Sequence, residues 1–223
     1  VSELATIAVY IPTRGYIWHR TAAAMSAYQP SYVHNNTGVV DARQQIVDHF
    51  LSTRADVLVM CDDDVVPPAN WDRIASHVIQ GRADVCGAVC PVALEGTVLL
   101  PNVFRRDDNL SKGYKLSTDF IEMEDLQEVD AVGTGLICID RRVLEDRKMR
   151  EPFKASFIKG GGEDVRFCRR AKDARYRVMV DFDIWCDHRI NVDAIGLANA
   201  YMEVHNLAVE AAKRGDAEWT LKQ

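Results

Sequence analysis

The residues best equipped for chemistry are Asp62, Asp63 and Asp64, three carboxylates that close the apolar stretch Asp56-Val57-Leu58-Val59-Met60-Cys61. An acidic triplet at the end of a buried strand invites a divalent cation. Extended backbone would send Asp62 and Asp64 to one side and Asp63 to the other. The same-side pair would then sit about 7 Å apart at Cβ, where two carboxylates repel unless positive charge lies between them. Oxygen ligands of this kind suit a hard ion such as Mg²⁺ or Mn²⁺. A structural role is the alternative, because Asp also favours turns and helix caps, and Pro67-Pro68 and a helix near Asn70 follow.

A second acidic pair, Glu163-Asp164, opens a helix after Gly160-Gly161-Gly162. A carboxylate there could take the proton of a hydroxyl, and the glycines let backbone approach a substrate closely. Acidic residues in a first turn also oppose the helix dipole, worth ~0.3–1 kcal/mol each. His188 lies in Cys186-Asp187-His188-Arg189, where Asp187 could orient its ring or simply be solvated. A hydrogen-bonded or surface histidine is the default reading. Gly133-Thr134-Gly135 interrupts an apolar run, as glycines do where a ligand or another backbone comes close.

The elements that must position these groups can be read from periodicity. Residues 5–11 form a strand stopped by Pro12-Thr13-Arg14-Gly15. A helix spans 18–28, and a short strand and turn spans 30–36. Asp41 opens an amphipathic helix with Ile46, Val47, Phe50 and Leu51 on its apolar face and Arg43, Gln44 and Asp48 opposite. After the acidic strand come a helix over 71–80 and a buried strand over 83–91. Residues 92–128 look irregular, as loops or a hairpin over a cleft. One apolar strand is expected over 129–140, a helix over 163–174, a strand over 177–185 and a terminal helix over 193–214. Alternating strands and helices predict an α/β fold, an α/β/α sandwich whose central sheet begins parallel and becomes mixed.

With 223 residues, 48% of them hydrophobic, the chain suits one domain with a small appendage: residues 1–190, then a helical extension over 191–223 packed on it. No apolar run approaches the ~18 residues that cross a bilayer, and Ala5–Ile11 is too short and lacks the basic leader of a signal peptide. The six scattered cysteines have no zinc-site spacing and read as free buried thiols. A cytoplasmic protein without membrane attachment is expected. The net charge of -6 is uneven, since residues 141–177 carry 13 Lys/Arg against 6 Asp/Glu. That excess suggests an anionic partner on that side.

The order of these features resembles the GT-A fold glycosyltransferases, particularly the family 2 type that uses nucleotide-activated sugars. The features are Pro12-Thr13-Arg14-Gly15, then Asp41-Ala42-Arg43-Gln44, then Asp62-Asp63-Asp64, then Glu163-Asp164 with His188 beyond. The resemblance spans about residues 5–190 and implies a Rossmann-like GT-A domain. It further implies that Asp64, His188 and Asp62 hold Mn²⁺ or Mg²⁺. Pro12, Thr13, Arg14, Arg43, Asp62 and Asp63 would bind a nucleotide-sugar donor, with UDP as the expected nucleotide. Asp164 would be the general base of an inverting transfer. Gly133, Thr134, Gly135 and Glu163 would meet the acceptor, a hydroxyl compound such as a modified DNA base, another polyanion, a glycan or a protein. The chain departs from many relatives after its second strand, where His34-Asn35-Asn36-Thr37 replaces the usual acidic base reader.

Two other readings use the same residues. Asp62-Asp63-Asp64-Val65-Val66 also fits the nucleophile motif of haloacid-dehalogenase-type phosphatases, with Lys159 as their lysine, although that family carries the motif on its first strand. The third reading is a non-catalytic module that keeps affinity for a nucleotide sugar.

Overall fold

A computed structural model describes residues 5–34, 38–94, 98–107, 109, 113–116, 120, 123–153 and 162–189. The first half runs β1 (Ile7–Thr13), α1 (His19–Met25), β2 (Ser31–His34), α2 (Val39–Ser52), β3 (Val57–Cys61), β4 (Val65–Val66), α3 (Arg73–Ile79) and β5 (Val85–Val89). Short strands follow: β6 (Pro91–Leu94), β7 (Val98–Pro101), β8 (Val103–Arg106), β9 (Tyr114–Leu116), β10 (Leu126–Glu128) and β11 (Ala131–Val132). The chain continues through β12 (Leu136–Asp140), α4 (Arg141–Glu145), α5 (Glu163–Asp173), β13 (Val178–Trp185) and β14 (Asp187–His188).

Seven strands build the central sheet in the order β10-β13-β5-β12-β3-β1-β2. β1 pairs in parallel with both β2 and β3. β12 enters antiparallel between β3 and β5, and β13 returns parallel to β5. The sheet is thus parallel where the chain starts it and mixed beyond, as the strand and helix alternation predicted.

All five residues of β3 are buried, which explains its unbroken apolar sequence. Leu58 and Met60 join the core layer that contains Ile46 and Phe50 of α2, Val143 of α4 and Phe167 of α5. Val57, Val59 and Cys61 point the other way, into the layer with Ile74 and Val78 of α3 and Met25 of α1. This period-2 division gives the sheet two covered faces and three layers overall. All six cysteines are free and buried within it.

Three expectations change. Residues 129–140 are two strands in two sheets: β11 pairs with β8, whereas β12 belongs to the central sheet. The break comes at Gly133, whose N–H donates to the Asn102 carbonyl at 2.7 Å. Residues 92–128 hold several short strands, one of which, β10, extends the central sheet. Arg43 lies in the interior at 4% exposure rather than on the outer face of α2. Helical periodicity counts arginine as polar and cannot see the carboxylates that receive it.

The chain divides into two compact units, residues 1–91 with 101–189 and residues 92–100 with 190–223. The paired strands β6 and β7 account for the described part of the second unit. The helices expected over 193–214 and 191–223 lie outside the described residues. No helix among the described residues is long and apolar enough to cross a membrane.

Candidate active site

β3 ends at Cys61, and the Val65 N–H donates to the Asp62 carbonyl at 3.2 Å. Asp62–Val65 is therefore a turn, and the alternation expected of an extended triplet does not apply. Three remote segments fasten this turn through backbone bonds. The Asp62 N–H donates to Gly135 O at 2.9 Å, the Trp18 N–H to Asp63 O at 2.9 Å, and the Arg189 N–H to Asp64 O at 2.9 Å. The turn is thus tied to the β1–α1 loop, to the start of β12 and to the residue after β14.

Each carboxylate has a cationic partner from the chain itself. Arg43 Nη2 donates to both Asp62 oxygens at 2.9 and 3.1 Å, and Arg43 Nη1 pairs with Glu163 Oε1. Arg14 gives Asp63 its backbone N–H at 3.0 Å and its Nη2 at 3.0 Å, and the same Nη2 reaches Asp64 Oδ2 at 3.1 Å. The repulsion that a metal was expected to relieve is relieved in large part by these two arginines. Burial works against the Arg43 charge, but Asp62 and Glu163 outweigh it and the guanidinium stays firmly protonated. Burial also pushes the Asp62 carboxyl above its ordinary value, while the His188 ring, aided by Arg14, holds Asp64 below it.

His188 reaches Asp64 because β14 pairs antiparallel with β4, the strand that directly follows the acidic turn. Its Nδ1 contacts Pro91 O at 2.7 Å. A carbonyl only accepts, so Nδ1 must carry the proton, which leaves the Nε2 lone pair facing outward in the neutral ring. Nε2 lies 3.5 Å from Asp64 Oδ1. Two acceptors aimed at each other leave a position for a proton or a metal ion. The bond to Asp64 accordingly raises the His188 pKa. Among the described residues no three His, Cys, Asp or Glu side chains converge as a metal cluster. Asp64 and His188 thus offer two ligands, a set that fits Mn²⁺ or Mg²⁺ only when phosphate and water oxygens complete the shell.

These groups line a cleft of about 230 Å³ formed by Pro12, Arg14, Val39, Asp62, Asp63, Asp64 and His188. The remaining expected site residues, Asp164 among them, are not part of that lining. Thr13 is buried and folds the loop, its hydroxyl donating to Tyr16 O at 2.9 Å and accepting from the Gly15 N–H at 3.2 Å. Glu163 is held by Arg43. Asp164 follows it on α5, with Oδ1 accepting the Val165 N–H at 2.7 Å. Burial, and then Glu163, raise the Asp164 pKa. The link from the cleft to Asp164 is the ion-paired chain Asp62–Arg43–Glu163, of which only Arg43 is buried.

Gly133 and Gly135, expected at the acceptor, are explained by packing. A Cβ on Gly133 would meet Asn102 Nδ2 at 2.9 Å, and one on Gly135 would meet Cys90 Sγ at 2.9 Å. The close approach these glycines permit is to the protein's own side chains, and Thr134 between them is buried at 3% exposure. Gly160, Gly161 and Lys159 lie outside the described residues, as do Asn35, Asn36 and Thr37. The Pro91 carbonyl, which sets the His188 tautomer, has no signal in sequence because every residue carries that group.

Part of the basic excess over 141–177 is engaged within the protein, five of its thirteen cations making the ties that follow. Arg141 donates to the carbonyls of Phe50, Thr53 and Ala55. Arg142 and Arg177 pair with Asp84, Arg170 donates to three carbonyls, and Lys172 pairs with Glu128. Counting charges in sequence does not distinguish such ties from a face open to an anion.

Replacing Arg43 with methionine should cost about 2–4 kcal/mol, since it strands two partly buried carboxylates. Urea denaturation measures this. A carboxyl with a raised folded pKa contributes stability that is present below its ordinary value near ~3.9 and lost as pH rises through the folded value. Arg43 lowers the Asp62 pKa against the burial that raises it, so its loss should raise that pKa further and make the deficit smaller at acidic than at alkaline pH.

No protein-family model matches the chain, and no curated protein matches it in sequence. Solved structures match it in fold. The chain is similar to A197 from STIV, with a TM-score of 0.58 and 23% identity over 84% of this chain and 87% of that one. It is also similar to GalNAc-T7, crystallised with UDP, GalNAc and Mn²⁺, with a TM-score of 0.61 and 12% identity over 86% of this chain. The match covers 45% of the GalNAc-T7 chain. At these identities the likeness is one of fold, a GT-A-like Rossmann-type architecture of the class the motif order implied.

Proposed function

We propose that the chain is a metal-dependent glycosyltransferase, family 2-like, that moves a sugar from a nucleotide-diphosphate donor, UDP-linked, to a hydroxyl acceptor. The observation that carries this reading is the convergence of Asp64 and His188, with Arg14 beside them, in a cleft at the carboxyl end of β3. Ligands of open α/β sheets bind outside the carboxyl ends of the strands. When bound, a divalent ion supplies Lewis-acid stabilisation of the charge that grows on a leaving diphosphate. The mixed nitrogen and oxygen pair suits Mn²⁺ better than the all-oxygen shell of Mg²⁺.

The chain's own residues divide the remaining work. Asp64 and His188 would hold the ion, and Pro12 and Arg14 would border the donor. Asp63 keeps the β1–α1 loop against the acidic turn. Asp62 serves chiefly to anchor Arg43, which in turn fixes Glu163 at the start of α5. Asp164, next along, would accept the hydroxyl proton in an inverting transfer. Its raised pKa makes the ionised carboxylate a stronger base. The acceptor is proposed as a hydroxyl compound, an anionic one included.

The test is incubation of the full chain with UDP-hexoses and Mn²⁺, with and without a panel of hydroxyl acceptors. Slow release of sugar and UDP, abolished by EDTA, is expected. Turnover of p-nitrophenyl phosphate instead would favour a phosphatase. Silence with both, alongside UDP binding, would favour a binding module.

A further inference from the structure

We infer that Arg14 is an exchangeable counter-ion. It neutralises Asp63 and Asp64 in the resting site, then yields Asp64 to a divalent cation and turns to the donor's diphosphate, so that metal and nucleotide bind as a coupled pair. This rests on the glycosyltransferase reading above. Arg14 Nη2 lies 3.0 Å from Asp63 Oδ1 and 3.1 Å from Asp64 Oδ2. A cation held by Asp64 and His188 would share one carboxylate with that guanidinium, and the two positive charges repel.

The two arginines of the site differ in freedom. Arg43 is buried between Asp62 and Glu163, and leaving would strand both. The Arg14 side chain is 51% exposed, with the Tyr16 ring 5.5 Å from its guanidinium. Its departure would not undo the loop. Asp63 keeps the Arg14 backbone N–H at 3.0 Å, and its carbonyl keeps the Trp18 N–H at 2.9 Å. Two carboxylate oxygens are released, Asp64 Oδ2 and Asp63 Oδ1, while Asp63 Oδ2 keeps its backbone bond. Arg14 borders the same cleft as the carboxylates, and a guanidinium pairs well with phosphate oxygens. Coupling of this kind is reciprocal: UDP tightens the metal by the factor with which the metal tightens UDP.

Electron paramagnetic resonance of free Mn²⁺ measures the coupling without any turnover. Titrations with and without saturating UDP would use the full chain and its Arg14→Ala, Arg14→Gln and Arg20→Ala variants. Arg20 pairs at the rim with Asp187, at 2.6 Å and with the same 51% exposure, but touches neither Asp63 nor Asp64. Without UDP, both Arg14 variants should bind Mn²⁺ about 3- to 10-fold tighter than the parent, and Arg20→Ala less than about twofold tighter. UDP should tighten Mn²⁺ about 10-fold or more in the parent and at least about fivefold less in the Arg14 variants. Arg14→Gln keeps the length of the side chain, and thermal melting verifies that each variant is folded. Equal Mn²⁺ affinity and equal coupling in parent and Arg14 variants would overturn the exchange while leaving the donor reading intact, as would an equal gain in Arg20→Ala. Absence of Mn²⁺ binding in every protein, with or without UDP, would overturn the donor reading and this inference together.

Discussion

Asp64→Ala should lower Mn²⁺-dependent release of sugar from a UDP-sugar by about 10³-fold or more while leaving the protein folded. The size follows from the charge involved. Stabilising a leaving diphosphate is where a bound cation has most leverage, and losing a well-placed electrostatic partner typically costs 10²–10³-fold or more. The fold should survive because Asp64 contributes to the architecture through its carbonyl, which accepts the Arg189 N–H at 2.9 Å and which alanine retains. The side-chain pairs it would lose, with Arg14 and His188, are partly exposed and worth at most ~1 kcal/mol. Chromatography of released UDP, Mn²⁺ titration and a thermal melt on one preparation separate the outcomes. Turnover near the parent rate with an unaltered melt would remove Asp64 from the metal site.

The difference between Asp64 and its neighbours explains how far the sequence could be read. The elements were legible wherever burial imposes a period. β3 is apolar at every position because both its faces are covered, and α2 shows Ile46, Val47 and Phe50 on one side because that side meets the sheet. Boundaries and partners were less so. Nothing local separates Ala131–Val132 from Leu136–Asp140 as members of different sheets, since the break depends on a bond from Gly133 to Asn102, a contact between remote segments.

The same limit applies at the site. The grouping of Arg14, Asp62, Asp63, Asp64 and His188 was legible from motif order, and the structure brings them into one cleft. The division of labour among the aspartates was not. It depends on which arginine each one meets, and the period of α2 puts Arg43 on the polar face although Asp62 and Glu163 hold it inside. Glycine had a similar ambiguity. The glycines at 133 and 135 imply a ligand or another backbone nearby, whereas the atoms that approach them are side-chain atoms of Asn102 and Cys90, which the sequence does not point to.

The remaining large effect is expected at Asp164. Asp164→Asn should leave UDP and Mn²⁺ binding within about twofold of the parent yet cut transfer to an acceptor by about 10²–10⁴-fold, the usual worth of a general base. The start of α5 should be preserved, because the asparagine Oδ1 can still accept the Val165 N–H. The pH dependence separates a base from a packing residue. Burial and then Glu163 raise the Asp164 pKa, and only the ionised form accepts a proton. Transfer by the parent should therefore fall as pH drops through that raised value, at a pH above the ordinary carboxylate value near ~3.9. Asp164→Asn should lose this acid limb. A second variant reaches the same carboxylate without changing it. A Cβ on Gly162 would lie 2.6 Å from Asp164 Oδ1, while its backbone, at φ -68°, accepts alanine without strain. Gly162→Ala should turn the carboxylate aside and reduce transfer about 10-fold or more with little change in melting temperature. Parent-like transfer and an intact acid limb in Asp164→Asn would assign the proton to another group, and Glu163, fixed by Arg43, is poorly free to take it.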